Sequence, residues 1–299
     1  MSDQCQAQNA SIRYADWMLL AVAVVWGTSY GMAKQAVFFY PVVGFLFIRF
    51  MLTFVLLLPA LKNCWRQAAP PGLALGAVLL AIFLCETYGV AHTTASNAAF
   101  LISLCVVLTP FVEWLVFRTR PESTAFIAAG ISLCGALLLT GNLSLELGSG
   151  DALILCAALL RAIMVCLTKK LTQRHNVPAL ALTAVQTGVV AAGSLAILLA
   201  TQHGIPPLPQ APAFWGATLY LVVFCTLFAF FAQNYAVKRT TPTNASLLMG
   251  TEPLFGALFA AMWLGETLTP ACWIGGLMIV GASLWATRPR QRRAFPVRN

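Results

Sequence analysis

From its N-terminus onward the chain shows neither the two-residue alternation of a half-buried strand nor the polar face of a soluble helix, but continuous apolar runs parted by short polar turns. Ten runs stand out, at 16–37, 41–61, 71–91, 96–117, 123–140, 151–171, 178–200, 212–237, 243–264 and 269–287. Each has about the length that ~30 Å of hydrocarbon demands of a helix rising ~1.5 Å per residue. Gly, Ala, Ser and Pro recur inside the runs, as close helix packing in lipid favours, and a helix spanning a bilayer satisfies its own backbone. A membrane β-barrel does not fit, because its strands alternate. The pattern predicts an all-α integral membrane protein of ten transmembrane helices.

Composition agrees: of 299 residues 60% are hydrophobic and only 9% charged, against about 25% charged in soluble domains. The net charge of +9 raises the question of nucleic acid, and its placement answers it. Of the 18 Lys and Arg, all but Lys34, Arg49 and Arg161 fall before the first run or at or beyond the ends of the second, fourth, sixth, eighth and tenth. The connection at 201–213 has none. By the positive-inside rule both termini are expected in the cytoplasm and the number of spans is even. The basic tail 288–299 reads as a topology signal, and nucleic acid is not an expected partner. The first 15 residues lack the short apolar core and cleavage site of a secretory signal, so the first run is expected to be retained. Nine cysteines, most of them inside apolar runs and none in a C-x-x-C pair, read as small buried hydrophobes. No metal or other cofactor is expected.

The chain is also written twice. Residues 88–101, YGVAHTTASNAAFL, match 235–248, YAVKRTTPTNASLL, at seven of 14 positions, including Tyr88/Tyr235, Thr93/Thr240, Thr94/Thr241 and Asn97/Asn244. The correspondence reaches Asp16/Asp151, Lys34/Lys169 and Pro41/Pro178. The repeat is therefore five helices long, with one copy at 1–141, the other at 150–287 and the tail at 288–299. Five is odd, so the second copy is expected upside down relative to the first. Inverted repeats place a substrate site near the midplane where the halves meet.

The segment TEPLFGALFAAMWLGETLTPACWIGGLMIVGASL (251–284), with WGTSYGMAK (26–34) and TTASNAAFLISLCVVLTPFVEWLVFRTRP (93–121), resembles the EamA-type members of the drug/metabolite transporter superfamily. Arg49 resembles the arginine often found in their second helix. The resemblance spans nearly the whole chain and implies a ten-helix transporter. One departure is that Phe117-Arg118-Thr119-Arg120 stands in the first repeat where the second has Leu264-Gly265-Glu266.

A charge near the bilayer centre costs ~2.5–3.5 kcal/mol on insertion scales, so an ionisable group there needs a partner or a wet cavity. Counting residues from the ends of the runs puts Arg161 and Glu252 near the midplane, where they are expected to be able to pair. Arg49 and Glu86 share a similar depth in the outer leaflet, which makes them a second candidate pair. Arg49 aligns with Gln186, and Trp26 with Arg161, so an indole and a guanidinium hold equivalent places. Lys34 stands at the outer end of the first helix, either reaching for the interface or drawing anionic substrate. Glu113, close to Arg118 and Arg120, reads as an interfacial charge. Thr28, Tyr30, Tyr88, Asn97 and Asn234 complete the candidates for the substrate pathway.

No Walker sequence, H-E-x-x-H or G-x-S-x-G occurs. The expectation is a secondary transporter, not an enzyme, exporting amino acids or related metabolites by alternating access. Its partners would be a small-molecule substrate, the bilayer and, if flux is ion-coupled, protons through Glu252 or Glu86. In a bacterium it would lie in the inner membrane. An intramembrane lipid- or metabolite-modifying enzyme, or an importer of a phosphorylated or nucleotide-like metabolite, stays open as the alternative.

Overall fold

The computed structural model describes residues 2–93, 98, 101–118, 120–140, 148–173, 177–202, 204, 206–264 and 269–287, except for some side chains, among them those of residues 2–13, Tyr30 and Lys34. Among these residues every regular element is a helix, and short turns join them. The elements are α1 (Ser2–Phe39), α2 (Val42–Leu57, prolonged by a 3-10 turn Leu58–Leu61), α3 (Trp65–His92), α4 (Cys105–Phe117), α5 (Ser123–Thr140) and α6 (Ser149–Thr172). They are followed by α7 (Ala179–Gln202), α8 (Pro212–Val237), α9 (Pro242–Met249), α10 (Glu252–Leu264) and α11 (Pro270–Thr287). Among the described residues five helices are long and apolar enough to cross a membrane: Val42–Leu61, Trp65–His92, Ser149–Thr172, Ala179–Thr201 and Pro212–Val237. Leu101–Phe117, Ser123–Leu138 and Pro270–Ala286 are shorter apolar helices.

The run expected at 243–264 is broken. Helix α9 ends at Met249 and α10 starts at Glu252, with Gly250 and Thr251 between them. Pro253 has no N–H to give the carbonyl of Met249, four residues back, and its ring crowds that turn, so the break falls one turn ahead of the proline. At the break the Thr251 hydroxyl donates to the Leu248 carbonyl at 2.7 Å.

Packing partners recur between the halves. Helix α3 lies along α6 as α8 lies along α1, α4 meets α6 as α10 meets α1, and α2 with α7, and α5 with α11, pack on each other. Small residues set the close approaches. A Cβ on Gly72 or Gly76 of α3 would meet Val185 or Val189 of α7, so these two helices run parallel in near contact. Helices α2 and α8 are parallel as well, through Phe45 with Phe214 and Arg49 with Thr226. Helices α1 and α8 are antiparallel, from Tyr14 against Tyr235 to Tyr40 against the Pro206 carbonyl just before α8. The main core runs along α1, α2, α3, α7 and α8, with Phe45, Phe50, Leu75, Leu182 and Phe214 fully enclosed.

Candidate functional site

Three ionisable side chains from three helices converge in the interior. Arg161, on α6, extends one guanidinium nitrogen to the Glu252 carboxylate of α10 at 3.2 Å and the other to Glu86 of α3, also at 3.2 Å. The side chains keep 19% (Arg161), 12% (Glu86) and 7% (Glu252) of their exposure, so the cluster is enclosed without being sealed. Trp26 of α1 faces the guanidinium at 5.2 Å from ring centroid to Cζ, within the range of a cation–π contact. Four helices thus build one site, and each contributes through a local cause. Glu252 is the first residue after the α9–α10 break, and Gly27 lets α1 approach the backbone of α10 closely enough to present Trp26.

The expected Arg161–Glu252 pair is present. Glu86 pairs with Arg161 and not with Arg49, which depth alone had matched to it, because α3 lies along α6 and brings Glu86 opposite Arg161. Arg49 is buried nearby. Its Nε donates to Thr226 Oγ1 at 2.8 Å, and its guanidinium rests against the rings of Phe50 and Phe83 at 5.4 and 5.3 Å. One Glu86 oxygen, Oε2, lies within ion-pair distance of Arg161 yet receives no hydrogen bond. A buried carboxylate lone pair of this kind is available to an incoming donor.

The remaining candidates spread along the bundle. Thr28 meets the Tyr220 hydroxyl at 2.6 Å, tying α1 to α8. Asn234 donates to Gln186 Oε1 at 2.7 Å and to Thr183 Oγ1 at 2.9 Å, all three being buried between α7 and α8. Tyr88 is exposed on α3. Asn97 and the side chains of Tyr30 and Lys34 lie outside the described residues.

A second polar seam joins α4 to α9. The Glu113 carboxylate accepts from the backbone N–H of Thr243 at 2.9 Å and from its hydroxyl. Thr109 donates to Ser246 at 2.9 Å, and Val106 packs where Gly250 has no side chain. Glu113 is therefore more than the surface charge its neighbours suggest: it caps the first turn of α9, where unpaired N–H groups and the helix dipole favour an anion. Nothing along the sequence links positions 113 and 243, and only the packing of α4 on α9 brings them together. The same end of the bundle holds Lys169, which donates to the Lys238 carbonyl at 2.6 Å, and Lys238, which donates to the Val177 carbonyl. Burial, with Arg239 beside it, lowers the Lys238 pKa from its ordinary value. We refer to this as the basic end.

The geometry is that of one cation held between two carboxylates beside an indole. No group of three metal-ligating side chains occurs among the described residues. An uncharacterized transporter of Archaeoglobus fulgidus is 26% identical over 280 residues, covering 94% of this chain and 88% of its own. The uncharacterized inner membrane transporter YedA of Escherichia coli K12 is 25% identical over 281 residues, with 90% and 89% covered. One solved crystal structure superposes with a TM-score of 0.74 at 16% identity, covering 91% of this chain and 96% of that one, which is a likeness of fold. The EamA-like transporter family matches over residues 13–141 and again over 148–288, and with its long apolar helices this membrane protein belongs to that family.

Proposed function

We propose that the protein is a secondary transporter that exports amino acids or related small metabolites by alternating access, with its site at Arg161, Glu86, Glu252 and Trp26. The observation that carries this reading is the shared guanidinium. Arg161 meets each carboxylate through a single nitrogen instead of a two-pronged fork, so either contact can be exchanged for another. A substrate carboxylate replacing one glutamate at Arg161 would release that glutamate to the substrate ammonium. Charge is then conserved inside the membrane at every stage, and the indole offers an apolar face to the rest of the molecule. In this reading protons compete for Glu86 or Glu252, and either serves as the coupling group.

The architecture proposed is ten spans in two inverted repeats, 1–141 and 150–287, with both termini and the basic tail 288–299 in the cytoplasm. The exchange of packing partners between halves and the parallel runs of α3 with α7 and of α2 with α8 support it. The name of the E. coli relative supports an inner-membrane location. The α4–α9 seam would then close the cytoplasmic side. At the repeat-equivalent positions the sequence has Ser96, Ala99, Gly256 and Ala260, without a carboxylate, so the two ends differ in what holds them shut.

The test is counterflow in proteoliposomes with a panel of labelled amino acids, followed by Glu86→Gln and Glu252→Gln under a pH gradient. Exchange of at least one amino acid, with gradient-driven flux lost in one of the glutamine variants, is expected. Inert vesicles that convert a substrate on one side would point to an enzyme. Flux unchanged in both glutamine variants would remove proton coupling from the reading.

Opening of the seam gives a separate prediction. A hydrogen bond to a charged group contributes ~1.5–3 kcal/mol, so Glu113→Ala is expected to shift the seam toward open by about tenfold or more. Cys105, whose carbonyl accepts from Ser246 within the seam, is the native reporter. With the other cysteines replaced, it should react faster with a maleimide applied from the basic end. An unchanged labelling rate would show that Glu113 does not hold this end closed.

A further inference from the structure

Helix α8 is not α-helical throughout. From Leu221 to Phe228 it winds as a π-helix, and the N–H of Ala229 bonds to the Phe224 carbonyl, five residues back. In an α-helix that N–H would belong to the Cys225 carbonyl. Here the Cys225 carbonyl instead accepts from the indole N–H of Trp26 at 3.0 Å. Single π turns inside α-helices are uncommon and cost regular pairing, and they collect at functional sites. Something must hold this one.

The structure supplies a holder in Arg49. Thr226 donates its hydroxyl to the Leu221 carbonyl, five residues back, at 2.8 Å, and the same hydroxyl oxygen accepts from Arg49 Nε at 2.8 Å. The guanidinium is braced between Phe50 and Phe83 and has little freedom to leave. Helix α1 grips the same stretch through Thr28 on Tyr220 and through the Cys225 thiol on the Val25 carbonyl at 3.6 Å. The chain of contacts therefore runs from Arg49 to Thr226, from the wide turn to the Cys225 carbonyl, from there to the Trp26 indole, and from the indole to Arg161.

We propose that Arg49 is a positioning residue for the central site: it holds the wide turn of α8, and the wide turn aims Trp26 at Arg161. Arg49 does so without touching the ligand. The wider importance of this chain rests on the Arg161 cluster being the transport site, but the geometry itself is testable without transport. Were α8 to rewind as a regular α-helix, the Cys225 carbonyl would return to Ala229, and the indole would lose its acceptor and its fixed tilt.

The experiment is 19F NMR of the full chain in nanodiscs with 5-fluorotryptophan at all eight Trp positions, the Trp26 line being assigned with Trp26→Phe. Thr226→Val, Thr226→Ala and Arg49→Met are expected to move the Trp26 line by more than its width while the other lines hold. Thr226→Ser, which keeps the hydroxyl, is expected to leave it in place. A purely structural weakening would disturb the lines together and would not be rescued by serine. A Trp26 line at its wild-type position in folded Thr226→Val, Thr226→Ala or Arg49→Met, or a line that moves as far in Thr226→Ser, overturns the proposal. Loss of amino-acid counterflow has no bearing on this readout, so failure of the transport reading and failure of the positioning reading are separately visible.

Discussion

Arg161→Ala is expected to abolish substrate exchange in proteoliposomes while leaving the protein inserted and folded. The side chain removed is a cation paired with both Glu86 and Glu252. Without it both carboxylates lose the cation that they share in a low-dielectric interior. The site would then lack its anion-binding group. Truncating one partner of a buried, hydrogen-bonded charge pair costs ~2–5 kcal/mol at interfaces, so apparent affinity should fall by about 30-fold or more. Arg161→Lys is the sharper comparison. It keeps the charge but offers one compact ammonium in place of two separated nitrogens, and so cannot hold both carboxylates in the same geometry. Partial exchange in the lysine variant, with none in alanine, is the expected order. Wild-type exchange by Arg161→Ala would place the substrate elsewhere in the bundle.

Gly27→Ala should have the next largest effect, although it changes no polar group. A Cβ at Gly27 would stand 2.7 Å from the Gly256 nitrogen, 2.9 Å from the Glu252 carbonyl and 3.0 Å from the Phe255 carbonyl carbon. All three are backbone atoms, which cannot swing aside as a side-chain tip can. Overpacking of a close contact costs ~1–3 kcal/mol, and relief comes only by moving α1 away from α10. That movement separates Trp26 from Glu252 and so alters how the two stand around Arg161. Both the thermal midpoint in detergent and the exchange rate are expected to fall. Gly256→Ala, whose Cβ would meet Gly27 only at 3.1 Å, should be milder in both. Equal stability and exchange for Gly27→Ala and wild type would mean that the α1–α10 crossing does not set the site.

The two predictions differ in how far the sequence alone leads to them. Arg161 and Glu252 were legible because a charge in an apolar run is conspicuous, and counting from the ends of a helix gives its depth. Glu86 was legible as a candidate for the same reason, but its partner was not. Depth is one coordinate, while pairing also needs the rotation of each helix and the identity of its neighbour. Arg49 and Arg161 are both deep cations, and only the lie of α3 along α6 decides between them. The role of Gly27 was hidden for another reason: many glycines in the chain look alike, and only the crossing with Gly256 singles this one out.

The same division runs through the whole molecule. Its long helices are determined locally, because a hydrocarbon slab leaves a backbone no partner outside its own segment, so that Trp65–His92 and Ser149–Thr172 follow from apolar length. The break before Pro253 is local as well, being the consequence of one missing N–H. The π-helical stretch of α8, the capping of α9 by Glu113 and the three-way pairing at Arg161 are not local. Each depends on a donor or acceptor supplied by another helix, and hydropathy carries no information about which helix that is. The sequence by itself determined a repeated, membrane-spanning chain with a few costly charges inside it. Tertiary structure alone decided which of those charges share one site, because that choice is made by side-chain contacts between helices far apart along the chain.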